Sequence, residues 1–546
     1  MKIYMIHPRF SDLYWGLLPW WSSRHHVDSL DRFGAIDVLG VDAYMPPIAL
    51  VTLAALTPPE IELELVDNNA GTPINFDKAC DLVVLTAYTN QLQEVKRITA
   101  RFQARGIPVA LGGPQASTAP HECTFVDHLF VGEAELTWPQ FLREFQAGQA
   151  KSRYEQPEKI DMALSPVPRW EMLDLSRYAD GTVQTTRGCP FDCEYCDVIV
   201  FNGHSPRSKP IETVVEDIRR QALGGIETIF ISDDNFIGNK GYARKLLERL
   251  KVLQQELPRP VALIAQLTIN VAHDDKLLRA LADANFVAVF IGVETPRRVS
   301  LEECQKPQNY IRDLKSDLQR IGAFGIVPVT GLITGFDNDD PTIFDEQLTF
   351  INETPLLVTR CNILTAIPHT QFWHRMKEEG RLVPEEVRLS DPSPMMPNFY
   401  PVNFTRESLL YGHLQFVEKV WSAQNMERRL RQYLSQVEYV SPVAHHRPSR
   451  KQLAILARLF RKMMLESDAA DRRVFMRMLY DVLRLNPKAM RAALFSLMNG
   501  MASRHVAQAV LAKESPGLQT FQRQHRTETS SRLEMPWTSV QPQLSV

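Results

Sequence analysis

The run Arg187–Cys196, RGCPFDCEYC, holds three of the chain's seven cysteines within eight positions. Three chemistries could crowd thiols in this way. A disulfide framework calls for an oxidising compartment and usually for an even set of cysteines in a short chain. This chain has 546 residues, and its other cysteines, Cys80, Cys123, Cys304 and Cys361, are scattered singly. Structural zinc is closed by four ligands, commonly paired C-x2-C units or histidines at fixed offsets. Here the spacing is C-x3-C-x2-C, and the nearest histidine, His204, lies outside any such pattern. An iron–sulfur cluster takes thiolates directly. Three thiolates on a four-iron cube leave one iron without a protein ligand, open to a small molecule.

Such a loop needs a scaffold. From Thr182 the chain alternates apolar β-branched runs with helical patterns. The runs are Thr182–Gly188, Thr228–Asp234, Ala262–Thr268, Ala288–Glu294, Val327–Phe336 and Cys361–Ile367. Helical stretches separate them at Ile211–Leu223, Lys240–Leu253, within DDKLLRALADAN, at Ile311–Phe324 and after Pro341. This alternation predicts parallel βα units. Active sites of βα barrels gather at the C-terminal strand ends. The cysteine loop, Asp233, Asp234, Asn235 and Glu294 all fall at such ends. The segment SDDNFIGN also reads as an ordinary turn and helix cap, whereas Glu294 ends an apolar strand.

Ahead of this series lies a second one. Lys2–Pro8, Ile61–Asp67, Asp81–Tyr88, Pro108–Pro114 and Asp127–Glu133 read as five strands with helices between, such as Asn90–Arg105. The pattern predicts a doubly wound, Rossmann-like sheet whose ligand sits beyond the C-terminal strand ends at a switch in strand order. Two of those ends are GGPQAS (Gly112–Ser117) and VGEAE (Val131–Glu135), where small residues let a ligand approach the backbone. The aromatic segments LYWGLLPWWSSRHH (Leu13–His26) and YMPP (Tyr44–Pro47) read either as cover for the core or as a wall over a ligand.

C-x3-C-x2-C with Tyr195 before the last cysteine resembles the signature of the radical S-adenosylmethionine enzymes. The resemblance implies a partial (β/α)6 barrel, with Cys189, Cys193 and Cys196 ligating a 4Fe-4S cluster. The open iron would chelate S-adenosylmethionine, and an electron would cleave the sulfonium to a 5′-deoxyadenosyl radical. It also implies that residues at the ends of the second to fifth strands hold the cofactor: Asp233 and Glu294 first, then Gln266 and Thr334. IGVETP and GFDNDD resemble subfamily motifs. A doubly wound domain with these glycine loops, set before such a barrel, is similar to the cobalamin-binding class of the family. That likeness covers roughly residues 1–400 and implies cobalamin contacts at Gly112, Gly113, Pro114, Gly132 and Glu133. The D-x-H-x-x-G motif of other cobalamin proteins is missing, as it generally is in this class, so no histidine from that motif would sit below cobalt. The nucleotide tail would thread into the sheet domain beside the two loops.

These readings divide the chain into a cobalamin-binding domain at 1–150, a linker at 151–180, a partial barrel at 181–385, a helical region at 386–512 and a flexible tail at 513–546. The helical part, from Thr405 to Leu511, is Arg-rich and predicts a bundle on the barrel with a solvated basic face. Basic amphipathic helices also suit peripheral contact with a membrane. A net charge of −3 gives no nucleic-acid footprint. No apolar stretch is long enough to span a bilayer, and the start, MKIYMIHPRF, reads as a strand without a signal peptide. With a thiolate cluster, this indicates the cytoplasm. The resemblance implies an enzyme served by an electron donor such as flavodoxin or ferredoxin. It would methylate a carbon of a small apolar or natural-product substrate. One S-adenosylmethionine would methylate cob(I)alamin, a second would yield the radical that takes a substrate hydrogen, and the substrate radical would take its methyl from methylcobalamin. Ring formation, rearrangement or oxygen insertion with the same cofactors is the alternative outcome. A non-catalytic cofactor-binding protein is the remote one.

Overall fold

The structure is a computed structural model that describes residues 1–10, 38–354, 356–389, 391, 393, 395–440, 449–465, 469–485, 500, 504, 507–508, 510–517 and 519–521. The aromatic segment Leu13–His26 and most of the tail from 513 lie outside these residues.

Six strands form the first sheet: β1 (Lys2–His7), β2 (Glu62–Asp67), β3 (Leu82–Thr86), β4 (Val109–Gly112), β5 (His128–Gly132) and β6 (Arg153–Gln156). They are all parallel, in the order β2-β1-β3-β4-β5-β6. The sixth strand corrects the five-strand expectation, because part of the stretch read as linker pairs along β5. Alternation along the strands gives the sheet two apolar faces. Tyr4, Ile6, Val83, Leu85, Val109 and Leu111 meet Val95, Ile98 and Phe102 of the helix Leu92–Gln103. Ile3, Met5, Leu82 and Val84 share the other face with Leu50 and Ala54, and with Trp138 and Phe141 of the helix Thr137–Gln146. Both faces are therefore covered by helices, as a doubly wound sheet requires. The strand order reverses between β1 and β3.

The second sheet is an open parallel array. Its strands are β7 (Gly181–Val183), β10 (Thr228–Ile231), β11 (Ala262–Leu267), β12 (Phe286–Glu294), β13 (Val327–Thr334) and β14 (Val358–Ile363), side by side in that sequence. Two short strands, β8 (Thr186–Arg187) and β9 (Arg207–Ser208), form an antiparallel pair that brackets the cysteine loop. Helices Ile211–Leu223, Lys240–Glu256, Asp275–Asp283, Leu314–Ala323 and Ile343–Glu353 follow successive strands. Their buried rows, such as Val214, Val215 and Ile218, join one continuous core. All six predicted βα alternations are present; the last strand starts three residues earlier than the sequence pattern suggests.

Beyond the barrel, the helix Arg406–Val420 opens on a Thr405 cap whose side chain accepts from Ser408 N–H. It buries Leu409, Leu410, Leu414 and Val417 against β14 and the helix Ile343–Glu353. The helices Ala423–Gln436, Arg450–Leu465 and Ala469–Leu485 continue the bundle.

Candidate functional site

The cysteine loop leaves the barrel where β7 and β8 end. Its backbone is pinned on several sides: Cys189 N–H donates to Gly203 O at 3.2 Å and Cys196 N–H to Cys193 O at 3.0 Å. Gly188 N–H donates to Asp234 Oδ2 at 2.7 Å. Gly188 sits at φ +102°, and a Cβ there would lie 2.6 Å from Ser205 O, so this turn needs glycine. The helix Gln371–Glu378 holds the loop from the far side. There Arg375 Nη2 donates to Glu194 Oε2 at 3.0 Å, and Gln371 Nε2 to Asp192 Oδ1 at 2.6 Å.

All three thiols are free, with Cys193 buried and the other two partly exposed. Burial pushes them up, Cys196 to about 12, so metal binding must displace their protons. Among the described residues, no three His, Cys, Asp or Glu side chains converge on a site for a single ion. A structural zinc site needs such convergence. A cube does not, since each thiolate serves a different corner, and the three-thiol loop fits that group.

The barrel's strand-end residues divide. Asp233 is fully buried. Both its oxygens are taken, by the backbone N–H of Thr185 (2.6 Å) and Thr186 (2.9 Å) and by both hydroxyls. Burial pushes its carboxyl up to about 6, against those donors. Asp234, its neighbour, faces the other way, onto the cavity wall and Gly188. Glu294 is buried in an ion pair with Lys306, itself buried. Arg297 and Arg298, which lie close to Glu294 in sequence, instead bind Glu346 and Glu302. Burial pulls the Lys306 ammonium down, but the Glu294 carboxylate more than offsets this and leaves it above its ordinary value. The Tyr195 hydroxyl lies 3.4 Å from Lys306 Nζ, which places Glu294 one residue's reach from the cysteine loop. Gln266 is half-buried, and its carbonyl accepts from Phe236 N–H at 2.9 Å. The Thr334 hydroxyl is turned to His413 Nδ1, at 2.9 Å, on the helix Arg406–Val420. It is thus directed away from the mouth, while Ile333 beside it lines the cavity.

A cavity of about 1970 Å³ lies between the C-terminal strand ends of both sheets. Gly112, Gly113, Pro114, Gly132 and Glu133 are all on its wall, opposite Tyr195, Asp197 and Asp234 beside the cysteine loop. Gly113 (φ +93°) and Gly132 (φ +87°) need glycine for their own backbone, since a Cβ would lie 2.5 Å from Thr86 Oγ1 or 2.6 Å from Gln156 O. At Gly112 a Cβ meets only ordinary contact, Phe130 Cβ at 3.5 Å. Met45, Pro46 and Pro47 line the cavity as well. His7 and Thr86, at the ends of β1 and β3, mark the switch point on its wall. His7 Nδ1 pairs with Asp67 Oδ1 at 2.9 Å, and the Tyr178 hydroxyl donates to Asp67 Oδ2 at 2.9 Å.

Two features of the site escape sequence reasoning. Arg187, two residues before Cys189, donates to Glu133 Oε1 and Glu135 Oε1, each at 2.7 Å, and Arg207 also reaches Glu133 Oε2, at 2.9 Å. Hence the VGEAE loop bolts the first domain to the cysteine loop. Lys306 stands in ECQKPQNY, a stretch with no motif to single it out.

Comparison with known proteins agrees with this geometry. Residues 183–350 match the radical SAM superfamily, and residues 370–515 match a domain of unknown function, DUF4070. An uncharacterized methyltransferase of Synechocystis sp. is 31% identical over 496 residues, which span 89% of this chain and 88% of that protein. The hopanoid C-2 methylase of Rhodopseudomonas palustris is 30% identical over 432 residues, 78% of this chain and 80% of that one. Among solved structures, the cobalamin-dependent S-adenosylmethionine radical enzyme OxsB, with aqua-cobalamin and S-adenosylmethionine bound, aligns at a TM-score of 0.57 and 14% identity. The alignment covers 98% of this chain and 82% of that one, a likeness of fold.

Proposed function

Because this chain belongs to the radical S-adenosylmethionine methyltransferases, we propose that it moves a methyl group onto a carbon of an apolar or natural-product substrate, with cobalamin as a further cofactor. Membership carries the 4Fe-4S cluster and S-adenosylmethionine with it. The cobalamin reading rests on one observation: the cavity that adjoins the cysteine loop is shared with the glycine-rich strand ends of a doubly wound sheet. Ligands of such sheets lie at the switch point. The cavity's apolar lining, including Leu53, Leu56, Trp138, Leu364 and Met396, suits an apolar substrate. When bound, the three groups supply an electron, a radical and a transferable methyl.

The chain's own residues position and enclose. Cys189, Cys193 and Cys196 would hold the cluster. Glu294, paired with Lys306, would accept hydrogen bonds from the adenosyl ribose or the methionine amino group. The flat backbone at Gly112 and Gly113 would lie against the corrin. We place the reaction in the cytoplasm, with flavodoxin or ferredoxin as electron source. The test is a reduced, cobalamin-loaded reaction assayed for 5′-deoxyadenosine and S-adenosylhomocysteine. Both products mean methyl transfer. The first alone means ring formation, rearrangement or oxygen insertion, and neither means binding without catalysis.

Gly112 isolates the cobalamin contact, since its own backbone does not require glycine. Gly112→Val should weaken cobalamin binding at least tenfold with an unchanged melting temperature. Unchanged affinity would move the corrin elsewhere. The cob(II)alamin state should show no nitrogen superhyperfine splitting in its electron paramagnetic resonance spectrum. A splitting that vanishes in His7→Ala would place that imidazole on cobalt and overturn the expectation.

Glu294→Gln strips a buried lysine of its partner, so it should lower stability by about 3–5 kcal/mol. A charged cofactor contact is worth about 1.5–3 kcal/mol, or about ten- to hundredfold in S-adenosylmethionine affinity. Glu294→Gln/Lys306→Met separates the effects: stability returns while affinity stays low. If affinity returns as well, Glu294 is structural.

A further inference from the structure

The helices Arg450–Leu465 and Ala469–Leu485 carry two apolar rows each. One row is buried: Leu459 and Met463 in the first helix, Phe475, Met478 and Val482 in the second. The other row faces outward. Leu453, Leu456 and Phe460 stand at i, i+3 and i+7, and Met476, Tyr480 and Leu483 at i, i+4 and i+7, all between 37% and 58% exposed. Such spacing puts each trio on one stripe of its helix. Leu465 and Leu485, at the helix ends, are exposed as well.

Charge on the same helices is one-sided. They hold nine Lys or Arg against two Asp. Both aspartates are committed inward, Asp471 to Arg504 at 2.9 Å and Asp481 to Arg431 at 2.7 Å. Arg450, Arg461, Arg473 and Arg484 are exposed beside the apolar rows, while Arg477 pairs with Glu427 at 3.5 Å. The chain as a whole is slightly acidic, at −3, so this basic surface is local. The inner side of the first helix is fastened to the N-terminal domain. Arg458 Nε donates to Val38 O at 2.7 Å and its Nη2 to Leu39 O at 2.8 Å, in the segment leading to Met45 and Pro46 on the cavity wall.

We propose that these two helices seat the enzyme on an anionic lipid bilayer. The outward Leu, Met, Phe and Tyr side chains enter the boundary between headgroups and acyl chains, and the arginines bind lipid phosphates. A neutral apolar partner would leave Arg450, Arg461, Arg473 and Arg484 without counter-charge, and an acidic soluble partner would leave the two apolar rows wet. An anionic bilayer satisfies both. No described helix is long and apolar enough to cross the membrane, so the contact is interfacial. The proposal rests on this surface alone and stands whether or not cobalamin is used.

The test is flotation of the full chain with vesicles of phosphatidylcholine alone, or of phosphatidylcholine mixed with phosphatidylglycerol. The protein should float with the mixed vesicles only, and added salt should release it. Each of Arg473→Ser and Arg484→Ser should weaken binding about fivefold. Phe460→Glu/Leu483→Glu should abolish it while iron content stays unchanged. Three results would overturn the proposal: no flotation, flotation indifferent to lipid charge, or a concentration-dependent dimer that Phe460→Glu/Leu483→Glu dissociates, which would assign the face to a second copy of this chain.

Discussion

Replacing Cys189, Cys193 or Cys196 by alanine, one at a time, should remove the cluster and all 5′-deoxyadenosine formation. Anaerobically reconstituted wild-type protein should hold about four irons per chain. Each variant should fall toward zero, because a cube held at three corners has no spare protein ligand. Cys304 is the informative control. It is buried directly behind the loop, with its carbonyl accepting from Glu194 N–H at 3.2 Å. Its thiol points elsewhere, to Leu301 O at 3.6 Å. Cys304→Ala should therefore keep its iron, as should changes at Cys80, Cys123 and Cys361. Iron analysis and the absorption of the reconstituted cluster are the readouts. Loss of iron in Cys304→Ala would identify a fourth ligand and close the site that S-adenosylmethionine needs.

Arg187→Met should lower stability by about 3–5 kcal/mol near neutral pH, since it strands the buried Glu135 carboxylate. Glu133 keeps Arg207 and loses less. Burial alone would raise Glu135, but Arg187 holds it below the ordinary glutamate range. For a carboxylate depressed in the folded state, the stabilisation is present above the unfolded pKa, about 4.3. It disappears as pH falls through the lower, folded value. The gap between wild type and variant should therefore be wide at pH 7, start to narrow above about pH 4.3 as the stranded carboxyl of the variant takes up its proton, and keep narrowing below it. Chemical denaturation across that range measures it. A constant gap would mean that Arg187 contributes through packing rather than charge. The variant should also show protease cleavage between the two domains that the wild type resists.

Much of this was legible in the sequence, for definite reasons. Apolar runs that are buried on both faces read as parallel strands, and the six βα alternations and the cysteine loop follow from them. What the pattern cannot decide is which of two adjacent strand-end residues faces the mouth. Asp233 and Asp234 are equivalent in the sequence, yet one braces Thr185 and Thr186 while the other reaches the cavity. Ile333 and Thr334 divide in the same way. Long-range pairs are equally invisible: Arg187 and Glu135 lie 52 positions apart, and nothing local in either stretch announces the other. Residues 153–156 give no strand signal, because RYEQ at a sheet edge buries only Tyr154 well. Edge strands carry little apolar signal.

Glu294 itself holds a further consequence. Its φ is +65°, at the point where the register between β12 and β13 slips. A glycine would occupy that conformation freely, whereas a long side chain there costs about 1–3 kcal/mol. The fold thus carries a standing penalty so that a carboxylate, and not bare backbone, occupies this point beside Lys306. Glu294→Gly would relieve the backbone and leave the lysine unpaired, setting two terms of opposite sign against each other in one substitution. A barrel built only for stability would have taken the glycine and an apolar residue at 306.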